Sequence, residues 1–366
     1  MVQFADKVGR EETLISPIRG YSRPARPGLV ERVGEHWFCT RYNCDPDIFT
    51  GLTAVNKYRA NGAYRFFHPW GLFRLSPKVK VVRIPSWHRF GNSIIQLVNA
   101  FRVAEKFGAE TLQFSRPHPF LTGSRSGPFA LEWGELPHAL TLEGQFKRLD
   151  AFRARRASAP EMARVIADLV RPTLTRFIRT TDPQVGEDDL VIHFRCGDVF
   201  DSSKSPHPGY GQPPLSFYLA AVGREKPTRT WLISEDDRNP CLQAVASTLM
   251  RQHHQIIIRR FGSLEGDLRV LMSARRLVGS RGSFAYIVGH LSDRLQRAYF
   301  FEPTTYFGEP PSLPILRALG VDVIEVTDGE GAFKAKLLEW NWANSTEQRQ
   351  LMLSYPSENL KFGGRA

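Results

Sequence analysis

An α/β protein with parallel sheets follows from three features of the chain. Short β-branched runs alternate with helix-like amphipathic stretches, glycine-bearing turns close several of those runs, and the composition supplies enough apolar residues for one or two cores. The 366 residues allow two domains of ordinary size. With 42% hydrophobic and 23% charged residues, an ordered chain is expected rather than a disordered one. No run of about 18 apolar residues is present, so no transmembrane helix is expected.

Taken in order, residues 1–75 show no sustained period and are rich in Pro, Gly and aromatics such as Tyr64, Phe66, Phe67, Trp70 and Phe73. They are expected to form an irregular extension packed partly on the first domain. That domain, of α/β type, is expected over residues 76–185. Its strand is Val79 to Ile84, and its helix runs from Asn92 to Phe107 with apolar residues at three- and four-residue spacing. Residues 115–157 read as loop-rich. Met162 to Ile178 reads as a second amphipathic helix, interrupted at Pro172.

Residues 186–330 are expected to form a second α/β domain. Strands are predicted at Leu190–Phe194, Thr230–Ser234, Gln255–Ile258, Leu277–Gly279, Ala298–Phe301 and Val321–Val326. Helices are predicted at Leu215–Val222, Cys241–Met250, Leu264–Ala274 and Phe284–Leu291. Residues 331–366 read as a C-terminal tail or helix. Parallel sheets bind ligands in the crevice at the carboxyl ends of their strands, which directs attention to the loops after Phe194, Ser234 and Gly279.

Four motifs lie at such ends. In Val191 to Asp198 (VIHFRCGD) a strand leads into a glycine turn and an acid. His193 and Arg195 are two apart and share a face. Arg195 offers a planar fork of donors suited to a phosphate, and Gly197 permits a sharp turn beside a ligand. Asp198 can orient Arg195 or cap the next element; a salt bridge holding the strand end is the plainer reading. Arg89-Phe90-Gly91-Asn92 opens a helix after a strand, where unpaired amides can hold an anion, or where Asn92 serves only as the N-cap. Gly279 to Phe284 again joins strand to helix, with Ser280 and Ser283 able to cradle phosphate oxygens or simply to cap the helix. Ser234-Glu235-Asp236-Asp237-Arg238 ends another strand. Asp236 fits a ribose contact, Glu235 and Asp237 fit a Mg²⁺ or Mn²⁺ site on a diphosphate, and a solvated acidic turn is the plain alternative. The stiff loop Pro206 to Pro214 can form one wall of a pocket.

Together and in order, these motifs resemble the fucosyltransferase-type glycosyltransferase superfamily, which includes the protein O-fucosyltransferases and the α1,6- and α1,2-fucosyltransferases. His193-Phe194-Arg195-Cys196-Gly197-Asp198 is similar to that group's His-x-Arg-x-Gly-Asp motif. Arg89 to Asn92 resembles its Arg-Phe-Gly-Asn-Gln element, with Ser93 in place of the Gln. Ser280 to Phe284 resembles its late Ser-x-x-Ser-Phe element, and Ser234 to Asp237 its Ser-Asp-Asp strand end with an inserted Glu. The likeness covers about residues 80–300.

The resemblance implies a GT-B-like fold, two Rossmann-like domains facing across a cleft, with residues 76–185 on the acceptor side and residues 186–330 binding the nucleotide sugar. It implies a GDP-sugar donor, usually GDP-fucose, a glycan or other hydroxyl acceptor, inversion, and neither metal nor further cofactor. By position, Arg195 would contact the β-phosphate and leaving oxygen, and Asn92 would approach the same phosphate with Gly91 and Arg89 beside it. Ser280, Ser283 and Phe284 would line the donor. Asp198, His193 and His88 are each candidates for a general base, and none stands out.

Lys and Arg number 49 against 37 Asp and Glu, a net charge of +12. That balance suits phosphorylated ligands, nucleic acid or an anionic membrane surface. Neither a helix-turn-helix signature nor an aromatic-rich single-strand motif is present, which disfavours nucleic acid. The run Arg153, Arg155, Arg156 and Arg164 could dock a peripheral protein on the inner membrane face. Residues 1–27 lack the apolar stretch of a signal peptide, so a cytoplasmic location is expected. Cys39, Cys44, Cys196 and Cys241 are too sparse for a disulfide framework and are expected as free thiols. The rival functions are a metal-dependent transferase using Glu235 and Asp237, a basic nucleic-acid-binding module, and a non-catalytic scaffold.

Overall fold

A computed structural model of the chain describes residues 65–67, 79–134, 141–144, 146, 158–174, 184–203, 205–260, 262–302 and 312–363. Cys39, Cys44, Arg153, Arg155, Arg156, Phe177 and Ile178 lie outside these residues, as does most of the predicted N-terminal extension. Two sheets dominated by parallel strands form the scaffold.

The first sheet comprises β1 (Arg65–Phe67), β2 (Val81–Ile84), β3 (Thr111–Phe114), β4 (Arg125–Ser126), β5 (Phe129–Trp133) and β6 (Thr141–Glu143), in the order β1-β6-β2-β3-β5-β4. Strands β6, β2, β3 and β5 are parallel, and β1 and β4 close the edges antiparallel. Residues 65–67, read from sequence as irregular, are therefore a strand, and the stretch read as loop-rich carries three more. Helix α1 (Phe90–Phe107) connects β2 to β3 and ends on Gly108 in the left-handed conformation. Its sequence is apolar over a wide face, and 13 of its 18 residues are buried, so it is an internal helix rather than a surface one. The stretch expected as one helix from Met162 divides into α2 (Ala159–Arg164), a π-helical turn at Val165–Val170 and a 3-10 turn at Arg171–Thr173. Pro172 cannot donate to an α-helical ladder, which accounts for the break.

The second sheet has seven strands: β7 (Leu190–Phe194), β8 (Arg229–Ser234), β9 (Gln255–Arg260), β10 (Arg276–Gly279), β11 (Arg297–Phe301), β12 (Asp322–Asp328) and β13 (Leu360–Gly363). Their order is β13-β12-β11-β10-β7-β8-β9, parallel except for β13. Helices α3 (Leu215–Glu225), α4 (Pro240–Arg251), α5 (Leu264–Ser273), α6 (Ser283–Leu291) and α7 (Ser312–Ala318) make the crossovers, and α8 (Thr346–Ser354) precedes β13. The chain winds outward from β7 through β8 to β9, then returns to β10 on the other side of β7. This is the doubly wound order of dinucleotide-binding folds, and its switch point lies between β7 and β10.

Strand β7 is buried along its whole length, as a central parallel strand should be. Val191 joins one apolar layer, which takes in α1, α5 and α6. Leu190, Ile192 and Phe194 join the opposite layer with α3 and α4. The first layer also contains the core of the other sheet, so the two sheets share one continuous apolar core where α1 packs on α6. Each large side chain fully buried there, such as Phe101 or Phe300, contributes about 1.5–3 kcal/mol. No helix among the described residues is long and apolar enough to cross a membrane. Arg164, of the predicted basic run, is engaged bidentately by Glu105 at 2.8 Å.

Candidate active site

The candidate site is built where β7 and β10 end side by side. His193, the last inward residue of β7, lies on the α1/α6 side of the sheet and is almost fully buried. Its Nδ1 shares a hydrogen bond of 2.7 Å with Ser280 Oγ, from the loop after β10, and its ring packs on Phe284 at 5.0 Å. One bond thus ties the end of β7 to the loop after β10 across the switch point. Burial, and then the positive charge of Arg195, pushes the His193 imidazole down to about 3, so it is neutral at ordinary pH.

Beyond β7 the chain turns through Gly197, whose φ of +61 is in the left-handed region. A Cβ there would collide with the carboxylate of Glu235. The turn brings Asp198 back onto Arg195: Arg195 Nη2 donates to Asp198 Oδ1 at 2.5 Å. The other oxygen, Oδ2, lies 3.4 Å from Arg89 Nη1, contributed by the loop after β2. Asp198 therefore holds two guanidinium groups, one from each sheet. The plain reading, a salt bridge at the strand end, is correct as far as it goes, but the pair also reaches the other half of the molecule.

Helix α1 starts at Phe90, two residues before the predicted start. Arg89 occupies the N-cap position and makes no side-chain cap, so Asn92 is not the cap. Ser93 instead turns back: its Oγ accepts from His88 N at 3.0 Å and donates to His88 O at 2.7 Å. Asn92 is half-buried one position before it. Helix α6 likewise begins without a side-chain cap, after Gly282 at φ +136. These two open N-termini abut. A Cβ on Gly91 would lie 2.9 Å from Ser283 Oγ and 3.4 Å from Phe284 N, and the Phe90 and Phe284 rings meet edge to face at 5.9 Å. Helix α3 also begins without a side-chain cap, after Pro214, whereas α2, α4, α5 and α8 are closed by Ser158, Asn239, Ser263 and Ser345. The first amides of α1 and α6 thus have no side-chain acceptor, and the helix dipoles make the same place positive.

Asp236 is placed differently from expectation. Its Oδ2 accepts from Gly197 N at 3.2 Å, its Oδ1 from Arg238 N at 3.0 Å, and it pairs with Arg238 Nε at 3.2 Å. It braces the Gly197 turn rather than facing outward for a ribose. Asp237 is exposed and lies 3.9 Å from Arg260. Among the described residues no three His, Cys, Asp or Glu side chains are grouped to hold a metal ion. Cys196 and Cys241 are free and buried, and burial pushes the Cys196 thiol up to about 12.

Two supporting residues were given no role by the sequence: Asn239, outside the motifs, and Arg238, at the end of one. Asn239 is fully buried; its Nδ2 donates to Arg195 O at 3.1 Å while its Oδ1 caps α4 through Cys241 N at 2.9 Å. Arg238 reaches Asp236 and lies 3.6 Å from Asp201. The dipeptide Asn239-Pro240 is an N-cap followed by a first-turn proline, a signal that could have located Asn239.

No protein-family model matches the chain, and no curated protein matches it. Among solved structures the chain is similar to those of POFUT1, a protein O-fucosyltransferase. The crystal structure of POFUT1 with GDP is 11% identical with a TM-score of 0.37, covering 60% of this chain and 96% of that one. Two crystal forms of POFUT1 with GDP-fucose give 12% and 11% identity, with TM-scores of 0.38 and 0.35. They cover 60% and 64% of this chain and 95% and 97% of theirs.

Proposed function

We propose that this chain is a glycosyltransferase that moves fucose from GDP-fucose to a hydroxyl of a glycan or other acceptor, with inversion and without a metal. The observation that carries the reading is the Arg195 guanidinium, oriented by Asp198, at a switch point where two uncapped helix N-termini abut. In the reaction the acceptor oxygen attacks the anomeric carbon from the face opposite the diphosphate. The bond from that carbon to the phosphate oxygen breaks, its electron pair stays on GDP, and the acceptor proton passes to the departing diphosphate. Negative charge grows on the leaving oxygen, where Arg195 and the amides opening α1 and α6 meet it without reorganising. Asn92, Ser280, Ser283 and Phe284 line the same place.

A thermal-shift panel of GDP, UDP, CMP and ADP tests the reading. A nucleotide at 100 times its Kd adds about 2.7 kcal/mol of stability, and the largest shift is expected with GDP. An equal or larger response to UDP or CMP overturns the GDP-sugar assignment. Turnover unchanged in EDTA is expected, and its loss would move the assignment to a metal held by Glu235 and Asp237.

A further inference from the structure

The most exposed large apolar side chain among the described residues is Trp340, at 57%. It follows a π-helical turn, Lys334–Leu338, and its own φ is +62, in the left-handed region that non-glycine residues seldom occupy. A bulky aromatic there is strained, and Gly would fit the backbone better. The neighbours leave it little freedom. Asn341 Nδ2 donates to Ala335 O at 2.6 Å, and Gln348 Nε2 donates to Asn341 O at 2.6 Å. Trp342 N donates to Pro208 O at 3.0 Å, and Trp342 Nε1 to Val199 O at 3.0 Å. The last contact is with the residue after Asp198, so the segment is pinned to the candidate donor site.

Two more rings complete the surface. His207 packs on Trp340 at 5.1 Å and on Tyr210 at 4.7 Å. Both come from the stiff loop after the first motif, and that loop is fastened at its far end, where Gln212 Nε2 donates to Arg281 O at 3.2 Å. His207 is exposed and Tyr210 half-buried. Three ring-bearing side chains are thus held on one surface between the Arg195–Val199 loop and the Ser280–Gly282 loop. Rigid aromatics with a polar edge present a flat apolar face at little entropic cost, and polar groups at their rim can take hydrogen bonds.

We infer that Trp340, with His207 and Tyr210, is the platform on which a sugar ring of the acceptor stacks. The inference rests on the glycosyltransferase reading above, because it supplies that reaction's second substrate. It commits to a carbohydrate rather than a protein partner. The surface is one small set of rings, tethered through Trp342 to Val199, the residue after Asp198, and through Gln212 to Arg281, the residue after Ser280; a pyranose ring has one apolar face of matching size and hydroxyls at its rim.

The test uses the full chain on an array of chito-, manno-, cello- and galacto-oligosaccharides, with GDP thermal shift measured in parallel. Binding to at least one series is expected. Trp340→Ala and Trp340→Gly should weaken it at least tenfold, and Trp340→Phe should keep it within about threefold. Because glycine relieves the left-handed backbone, Trp340→Gly should melt no lower than the parent and keep the GDP response. Absence of binding to every series overturns the platform, as does binding that Trp340→Gly leaves intact, or a dimer that Trp340→Ala dissolves. A missing GDP response with sugar binding retained instead refutes the donor assignment and leaves the platform standing.

Discussion

Replacing Arg195 by Lys separates a catalytic guanidinium from a structural one, because the two roles carry different magnitudes. The Arg195 side chain is 24% exposed and Asp198 38%, so their ion pair is partly screened and contributes about 1 kcal/mol or less to stability. Lysine keeps the charge and can still approach Asp198, so the folded chain should survive nearly unchanged. Catalysis should not. An ammonium is a mobile point charge, whereas the guanidinium presents one N–H to Asp198 while its remaining donors stay fixed in plane for the leaving oxygen. Loss of one such preorganised donor typically costs about 10²–10³ in rate. Charge on that oxygen grows toward the transition state, so the deficit should fall on kcat more than on KM. The assay is GDP release by purified Arg195→Lys with a confirmed parent-like melting temperature. A kcat within threefold of the parent would refute the catalytic role and leave Arg195 as a brace for the strand end.

Two further outcomes are expected from the same geometry. Gly197→Ala places a Cβ on the Glu235 carboxylate at φ +61; it should lose about 1–2 kcal/mol in denaturant unfolding from the left-handed backbone alone. Adding Glu235→Ala should recover only the steric part, and unchanged stability of the single variant would contradict the turn described. Acid should also destabilise the protein before its ordinary carboxylates titrate. His193 is held down to about 3 and His118 to about 4, both by burial, against about 6.5 when unfolded. The unfolded chain takes up these protons first, so each site loses about 1.4 kcal/mol per pH unit as pH falls below 6.5. Asp267, raised to about 6 by burial, works in the opposite sense and offsets part of this. Between pH 6.5 and 4.5, His193→Gln should flatten the decline, and an identical slope in parent and variant would show that His193 is not buried neutral.

Much of this arrangement is visible in the residues, for physical reasons. Strand β7 announces itself because a central parallel strand must be apolar on both faces, and the polar residues that interrupt the pattern, His193 and Arg195, fall where it ends. The loops after β2, β7 and β10 are marked by glycines that the backbone needs at Gly197 and Gly282, and by the close approach of Gly91 to Ser283. Strands β1, β3, β4, β5 and β6 were not visible. They have two to five residues each, too few for a clear period, and they exist because a neighbouring strand pairs with them. The bracing residues were hidden for a related reason. Nothing local says that Asn239 holds the carbonyl of Arg195, or that Asp236 spends its oxygens on the Gly197 turn, since both contacts join segments some 40 residues apart. The abutting N-termini of α1 and α6 are likewise a property of packing between the two sheets.

On the proposed reaction, these contacts also bear on which group could remove the acceptor proton. Asp198 has the right chemistry, but each of its oxygens faces a guanidinium, one of Arg195 and one of Arg89. Taking a proton would weaken both pairs just as the leaving group most needs Arg195 in place. His193 is nearby and neutral, yet at about 3 it is a poor base, and its Nδ1 is already shared with Ser280. Ser93 binds the backbone N–H and carbonyl of His88, which fixes that residue in the loop but not the basicity of its imidazole. On that reaction, positive charge and open amides gather where the diphosphate would depart, and neither Asp198 nor His193 is a well-suited base there. That division fits a transfer in which the glycosidic bond is largely broken before the acceptor proton moves, so that the departing diphosphate, whose basicity rises as it leaves, can receive the proton itself. Stabilising that group then does double service: it lowers the barrier to cleavage, and it holds in place the group that accepts the proton.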